Sequence, residues 1–481
     1  MKFYKLQNVI LLGVSLIIFM SPALWNGFPL IFTDSLSYLT SGVELVAPVD
    51  RPIFYGLFIR LSNLILDLWG LVFLQSVLVI FLLLKLASTL FPNLSKRTDF
   101  IWLCLIGVTT SAPWFASQIS ADIFISCLFL TMVILALICE RASLGNIIFL
   151  AGLLALEICM HSGNLIIGFL LFLCILSLLY VQKKSWSHIK KFSLITIGSF
   201  IVSIASIVAS NVIFDQGFTF NRWGKVIFLA RVLEDGPGLR YLNDVCATRD
   251  LKTCTALPLF NEASKKEEDL GLTKNPETKN LVLNALLWDG GINLVGGLSV
   301  VNSEALEIIH GAIRTYPLQM AHAFTRNTYD QFTIFSVGNQ FGSTAHLIAM
   351  NNFFQVHFPA IYKSYIDSHQ SSGRVNSVTN VLNRAYNIII IFSGCFMLLL
   401  AYSPPRNQSY WNTVKLNSSV QLVIFSLLGF LIANAMITGG ISAVFDRYQS
   451  RVIWLLPSIA FLLIIELTMR KYKTHPYLLV D

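Results

Sequence analysis

The sequence predicts an all-α polytopic membrane protein, with about ten transmembrane helices and one mainly helical extracytoplasmic insert. Three observations carry that reading. The 481-residue chain is 55% hydrophobic, with a mean hydropathy of +0.67. Only 12% of its residues are charged, whereas soluble domains run near a quarter. Its apolar runs approach the roughly 20 residues needed to cross about 30 Å of hydrocarbon, and a single long polar stretch interrupts them.

Taken in order, spans are expected near 8–25, 67–90, 99–112, 122–139, 145–160, 165–182, 192–214, 387–403, 418–437 and 452–470. Those at 99–112 and 145–160 are short enough to tilt or re-enter the bilayer. The first has the basic start and apolar core of a signal peptide, but its length and Pro22 favour an uncleaved helix. The chain thus divides into an N-terminal block of seven spans (1–214), an insert (215–386) and a C-terminal block of three spans (387–481).

Within the insert, 222–245 reads as a helix broken at Gly236-Pro237-Gly238. The charged stretch 255–280 reads as a solvated loop or short helix. Ser303 is placed to cap a helix over 304–315, and Pro317 to restart it. The segment 318–336 suits a helix lying on the membrane surface or one packed on the insert's own core.

The net charge of +8 does not signal nucleic acid, because the basic residues sit at span ends. Lys2 and Lys5 precede the first span, and Lys96 and Arg97 follow the second. Lys183, Lys184, Lys190 and Lys191 lie between the sixth and seventh, and Arg406 and Lys415 between the eighth and ninth. Arg470, Lys471 and Lys473 close the chain. With ten spans all of these fall on one face, which the positive-inside rule makes cytoplasmic, with both termini. The insert and the loops 26–60, 112–121, 161–164 and 438–451 then face outside. The sequons at Asn93, Asn407 and Asn417 fall inside and imply no glycan.

Cys104, Cys127, Cys139, Cys159, Cys174 and Cys395 lie in apolar spans and read as packing residues. Cys246 and Cys254 stand eight apart in the outer insert, which suggests a disulfide closing a small loop. A bridged outer loop suits a bacterial inner membrane facing the periplasm.

Chemistry-bearing residues collect in the outer loops. Asp34, in Thr33-Asp34-Ser35-Leu36-Ser37-Tyr38-Leu39, is placed to take a proton or to cap a helix. Asp122, in Ser120-Ala121-Asp122, offers the same alternatives at the outer end of the fourth span. His161 stands at a hairpin tip, as a polar turn residue or a site group, and Glu157 lies one turn inside the membrane. Arg447 and Arg451, in Phe445-Asp446-Arg447-Tyr448-Gln449-Ser450-Arg451, are four apart on a helix start and face the same side. Two guanidinium forks there suit a phosphate, and Asp446 is a candidate partner for one of them.

Together these pieces resemble the GT-C superfamily of integral-membrane glycosyltransferases. The resemblance rests on Asp34 in the first outer loop, Asp122 in the next, Arg51-Pro52-Ile53-Phe54-Tyr55, and Arg447-Tyr448 before a late span. It implies a polyprenyl-phosphate-linked sugar donor, a glycan, lipid or protein acceptor, Asp34 as the general base with Asp122 as a second catalytic acid, and Arg447 as the ligand of the lipid phosphate. Tyr38, Arg51, His161, Tyr448 and Arg451 complete the candidate substrate-binding set. No Asp-x-Asp follows Asp34, since residue 36 is Leu, so a divalent cation is a possible rather than a required cofactor. The insert's Leu239-Arg240-Tyr241-Leu242 and Leu287-Trp288-Asp289-Gly290 patches fall outside the resemblance.

Two other readings stay open. A polysaccharide polymerase or ligase would use the insert's Arg231, Arg240, His310, Arg314, His322 and Arg326. A lipid-linked-sugar transporter would place charges mid-span, where this chain has almost none beyond Glu157.

Overall fold

A computed structural model describes residues 2–272, 278–338, 341, 344–402 and 417–474. Arg406, Lys415 and the Asn407 sequon lie outside these residues. The N-terminal block is α1 (Lys2–Asn26), α2 (Ser35–Glu44), α3 (Phe54–Leu90), α4 (Lys96–Thr109), α5 (Ala112–Ala116), α6 (Ile123–Ile138), α7 (Leu144–Cys159), α8 (Ser162–Val181) and α9 (Trp186–Ile213). The insert follows as α10 (Gly224–Glu234), α11 (Pro237–Val245), α12 (Leu257–Asp269), α13 (Leu281–Leu287), α14 (Gly291–Val295), α15 (Leu298–Thr315), α16 (Pro317–Thr333), α17 (Thr344–His357) and α18 (Pro359–Ile366). The chain closes with α19 (Arg374–Tyr402), α20 (Ser418–Ile437), α21 (Asp446–Ile453) and α22 (Leu455–Thr474).

This is an all-α, multi-pass membrane architecture. Among the described residues, seven helices are long and apolar enough to cross a membrane. Three of the expected spans are shorter: α6 and α7 have 16 residues each and α4 has 14. The reason is plain for α6, which is apolar all round and buried along nearly its whole length. Protein rather than lipid surrounds it, so hydrocarbon thickness does not set its length. In α3 the backbone leaves helical geometry at Leu66 and Asp67, which separates the arm from Phe54 to the kink from the span Leu66–Leu90.

Small polar side chains stitch the helices across the apolar interior. Ser199 and Ser203 of α9 donate to the Ala151 and Ala155 carbonyls of α7, each at 3.0 Å. Trp102 of α4 donates to the Ser458 carbonyl of α22 at 2.8 Å. The bundle has two distinct ends. At one, Gln182 after α8 donates to Ser418 at the start of α20 (2.9 Å), and Lys184 reaches the Ser418 hydroxyl. At the other, α20 runs into the turn Thr438–Ser442 and meets the insert helix α16.

Two apolar cores are formed. One fills the bundle and includes Val337, Phe354, Tyr365 and Tyr386 from the insert's second half. The other joins Val226, Leu233, Leu242, Phe260, Leu286 and Ile308 in its first half. The insert helix does break at Gly236, whose φ of +100° favours glycine. The helix expected over 304–315 begins earlier, at Leu298 after Gly297 (φ +105°), so Ser303 lies inside it and donates to the Val300 carbonyl. Glu304 instead ties down the neighbouring loop, accepting from the backbone N–H groups of Lys252 and Thr253. Pro317 opens α16, whose buried Asn327 and Gln331 face the end of α20 while Leu318 and Tyr329 stay exposed. Cys246 and Cys254 are bridged, joining the end of α11 to the turn Lys252–Ala256.

Candidate functional site

The loop carrying Asp34 is pinned from three sides. Leu30 exchanges backbone hydrogen bonds with Ser117 and Ile119 (2.9 and 2.8 Å). The Gln370 amide brackets Ile31, accepting from its N–H and donating to its carbonyl. Ser35 accepts from Phe32 N–H and donates to the Ile119 carbonyl. Asp34 therefore stands at the head of α2 without capping it: its side chain makes no capping hydrogen bond. Asp122 likewise heads α6 and caps nothing. Both carboxylates turn to arginines instead.

Asp34 Oδ2 lies 3.0 Å from Arg447 Nη1 and 3.3 Å from Arg51 Nη1, and Oδ1 accepts from Arg51 Nη2 at 3.4 Å. Asp122 Oδ1 accepts from Arg451 Nη1 at 2.7 Å, and its Oδ2 is 4.0 Å from Arg447. Arg51 is also held by Asp50, through Nε at 2.9 Å and Nη2 at 2.5 Å. Aromatic faces set the planes of the forks. Arg51 lies over Tyr38 (4.8 Å) and Arg447 over Phe32 (4.1 Å), while Arg447 and Arg451 both approach the Tyr448 ring (4.8 and 5.0 Å). The two arginines do share a face, and Tyr448 is what they share.

Burial raises the Asp34 carboxyl, but the Arg51 charge and then the Arg447 charge outweigh it and hold Asp34 well below the usual carboxylate range. Arg51 is disfavoured by burial, yet Asp34, Tyr38 and Asp50 keep it firmly charged. Burial pushes the Tyr38 hydroxyl up, so it stays protonated. His161 is lowered to about 4, by burial first and by Arg451 next, and is neutral at ordinary pH. Its Nδ1 accepts from Gly163 N–H, which makes it the cap of α8, and the charges of Arg451 and Asp122 reach it electrostatically.

The cluster contains unspent hydrogen-bonding capacity. Among the described residues, Arg447 Nε, Arg451 Nε and Asp122 Oδ2 are buried without a hydrogen-bond partner. Each such group costs about 1–3 kcal/mol when left unpaired. A cavity of about 10 Å³ touches Arg51, Ser162, Asn211 and Arg222, and one of about 20 Å³ touches Arg447, Phe32, Trp114 and Ser336.

A divalent cation does not fit these donors. Among the described residues no group of three or more His, Cys, Asp or Glu side chains is placed to hold a metal ion. Asp34, Asp50 and Asp122 spend oxygens on guanidinium groups instead.

No protein-family model matches this chain, and no curated protein does. A solved structure is similar to it. That is the crystal structure of ArnT from Cupriavidus metallidurans bound to undecaprenyl phosphate, at 12% sequence identity and a TM-score of 0.36, covering 89% of this chain and 76% of that one.

Asn434, Gln331 and Gln75 help build the site and were not among the residues the sequence pointed to. Asn434 donates to the Tyr448 carbonyl (2.7 Å) and to Gln449 Oε1 (3.0 Å), while its own oxygen faces Arg451. A lone amide in the apolar run 422–437 was the available signal. Gln331 brackets Phe445, accepting from its N–H (3.0 Å) and donating to its carbonyl (2.8 Å). Asp446 accepts from the Ser336 hydroxyl and from the Arg447 backbone N–H, so its carboxylate shapes the turn into α21. Gln75 accepts from the Tyr55 hydroxyl and donates to the Ala116 and Gln118 carbonyls, which fixes the wall behind Tyr38. Glu157 is fully buried, with Thr131 donating to it at 2.9 Å.

Proposed function

We propose that this protein is a membrane glycosyltransferase that moves a sugar from a polyprenyl-phosphate donor to an extracytoplasmic acceptor, with inversion. The acceptor is a glycan, a lipid or a protein. The observation that carries this reading is the 3.0 Å contact between Asp34 and Arg447, joined by Arg51, at the bundle end that meets the insert. A carboxylate and two guanidinium forks side by side suit the two demands of the reaction: a base for the acceptor and cations for the phosphate.

In the step, the acceptor hydroxyl oxygen bonds to the anomeric carbon and its proton passes to Asp34. The bond from that carbon to the phosphate oxygen breaks, and the lipid phosphate leaves with the electron pair. The negative charge then rests against Arg447 and Arg51. Asp122 is a positioning residue in this account, holding Arg451 and facing Arg447. Without donor, two cations make Asp34 a weak base. A donor phosphate that draws Arg447 toward itself would take one cation from Asp34 and raise its basicity, so base strength would follow donor binding.

The same reading sets the protein in a bacterial inner membrane, with both termini cytoplasmic and the insert periplasmic. The basic residues at the Lys184–Ser418 end, opposite the insert, support that orientation. A density map with a polyprenyl-phosphate sugar tests the proposal. Phosphate against Arg447, with the sugar beside Asp34, is the expected result; phosphate bound at another end of the bundle overturns it.

A further inference from the structure

A second basic site lies in the outer insert, sharing no residue with the Asp34 cluster. It is a cavity of about 410 Å³ between α10, α11 and α16, with Lys279 closing one side. That volume is within the usual range for small-molecule sites. Four basic side chains, Arg231, Arg240, Lys279 and Arg326, line it against two carboxylates, Asp235 and Asp330. They come from three separate stretches of chain that only the fold brings together.

The two carboxylates are already engaged. Asp235 accepts from Arg231 and receives both Asn327 contacts, at 2.9 and 3.0 Å, so Arg231 and Asp235 form a buried, neutral floor. Asp330 lies 3.7 Å from Arg326. Among the described residues lining the cavity, Arg240 and Lys279 have no carboxylate partner, although the Lys279 charge also reaches Glu267 outside it. Arg240 is held ready, its guanidinium 5.6 Å over the Tyr316 ring and donating to Gln319 at 3.3 Å. A planar fork on an aromatic face, a lysine opposite it and a neutral floor form an arrangement suited to a phosphate group.

We propose that this cavity binds a phosphomonoester of sugar-phosphate size. The phosphate sits between Arg240 and Lys279, and the polar remainder lies along Gln319 and His322 of α16. The placement of α16 gives the site a route to the rest of the molecule. Asn327 on its cavity side holds Asp235, and one turn later Gln331 clasps Phe445, two residues before Arg447.

The test is calorimetric titration of the full-length protein in detergent with glucose 6-phosphate, and with glucose as the uncharged control. Wild type should bind the phosphate ester and not glucose. Arg240→Ala and Lys279→Ala should each weaken binding about tenfold, the loss of one charge-assisted hydrogen bond, while Lys265→Ala outside the cavity should leave it unchanged. A second arm uses vesicles of phosphatidylcholine with or without phosphatidic acid. If phosphatidic acid competes with the sugar phosphate, the group is delivered on a lipid headgroup; if it does not, the ligand is a soluble ester. Absence of phosphate-ester binding, or binding equal in wild type and both cavity variants, overturns the proposal.

Discussion

Arg451 and Asp122, which are 329 residues apart in the chain, form a buried ion pair at 2.7 Å with side chains only 2% and 6% exposed. Removing one partner of such a pair strands a charge in a low-dielectric site and costs about 3–5 kcal/mol. Arg451→Leu should therefore lower the thermal midpoint of the detergent-solubilised protein sharply. The double variant Asp122→Asn/Arg451→Leu should recover part of that loss. A double variant no more stable than the single one would show that the pair does not hold these helices together.

Asp34→Asn keeps the shape and the acceptor oxygen but removes the charge and the basicity. Sugar transfer from a polyprenyl-phosphate donor should be abolished at temperatures where the variant stays folded, although Arg447 and Arg51, short of their shared carboxylate, should lower its melting midpoint. Undiminished transfer in that variant would rule out Asp34 as the base.

Arg447→Ala should raise the donor KM by about ten- to a hundredfold, since hydrogen bonds to charged groups are worth roughly 1.5–3 kcal/mol. Arg447→Lys should recover little, because a lysine does not reproduce the fork that Asp34, Phe32 and Tyr448 orient. An unchanged donor KM in both variants would move the phosphate elsewhere.

The insert should also respond to pH. Burial, and then the Glu234 charge, raises Glu267 from 4.5 to about 7. Its Oε1 accepts from Leu281 N–H. A carboxyl that holds its proton more tightly when folded stabilises fully below its unfolded value and loses that contribution as pH rises through its folded value. The insert's melting midpoint should fall between about pH 5 and about pH 8, and Glu267→Gln should flatten that slope. An equal slope in wild type and variant would place the effect on another group.

Reducing the Cys246–Cys254 bridge should destabilise the insert by roughly 2–3 kcal/mol, the closure entropy of so short a loop, while leaving the bundle's own melting unchanged. Intact mass should shift with alkylating reagent at these two positions only after reduction.

The membrane class was legible in composition and run length, because hydrocarbon imposes one length scale and one polarity on every span. The charge placed at span ends gave an expected orientation, which supports the proposed sidedness. The elements around Gly236 and Pro317 followed from local backbone chemistry, which the neighbouring residues alone decide. The chemistry-bearing types, Asp34, Asp122, Arg51, Arg447 and Arg451, could be picked out as charges set beside apolar runs. Whether Asp34 and Asp122 capped helices or met arginines was not decidable locally, since both uses place an acid at a helix start. Only the packing of α21 against α6 and the Asp34 loop settled it, because an ion pair across 413 residues depends on how helices stack and not on any neighbouring residue. The roles of Asn434, Gln331 and Gln370, and the meeting of Arg240 with Lys279, belong to that same tertiary level. Each is a side chain whose partners are distant backbone groups or charges that no local pattern encodes.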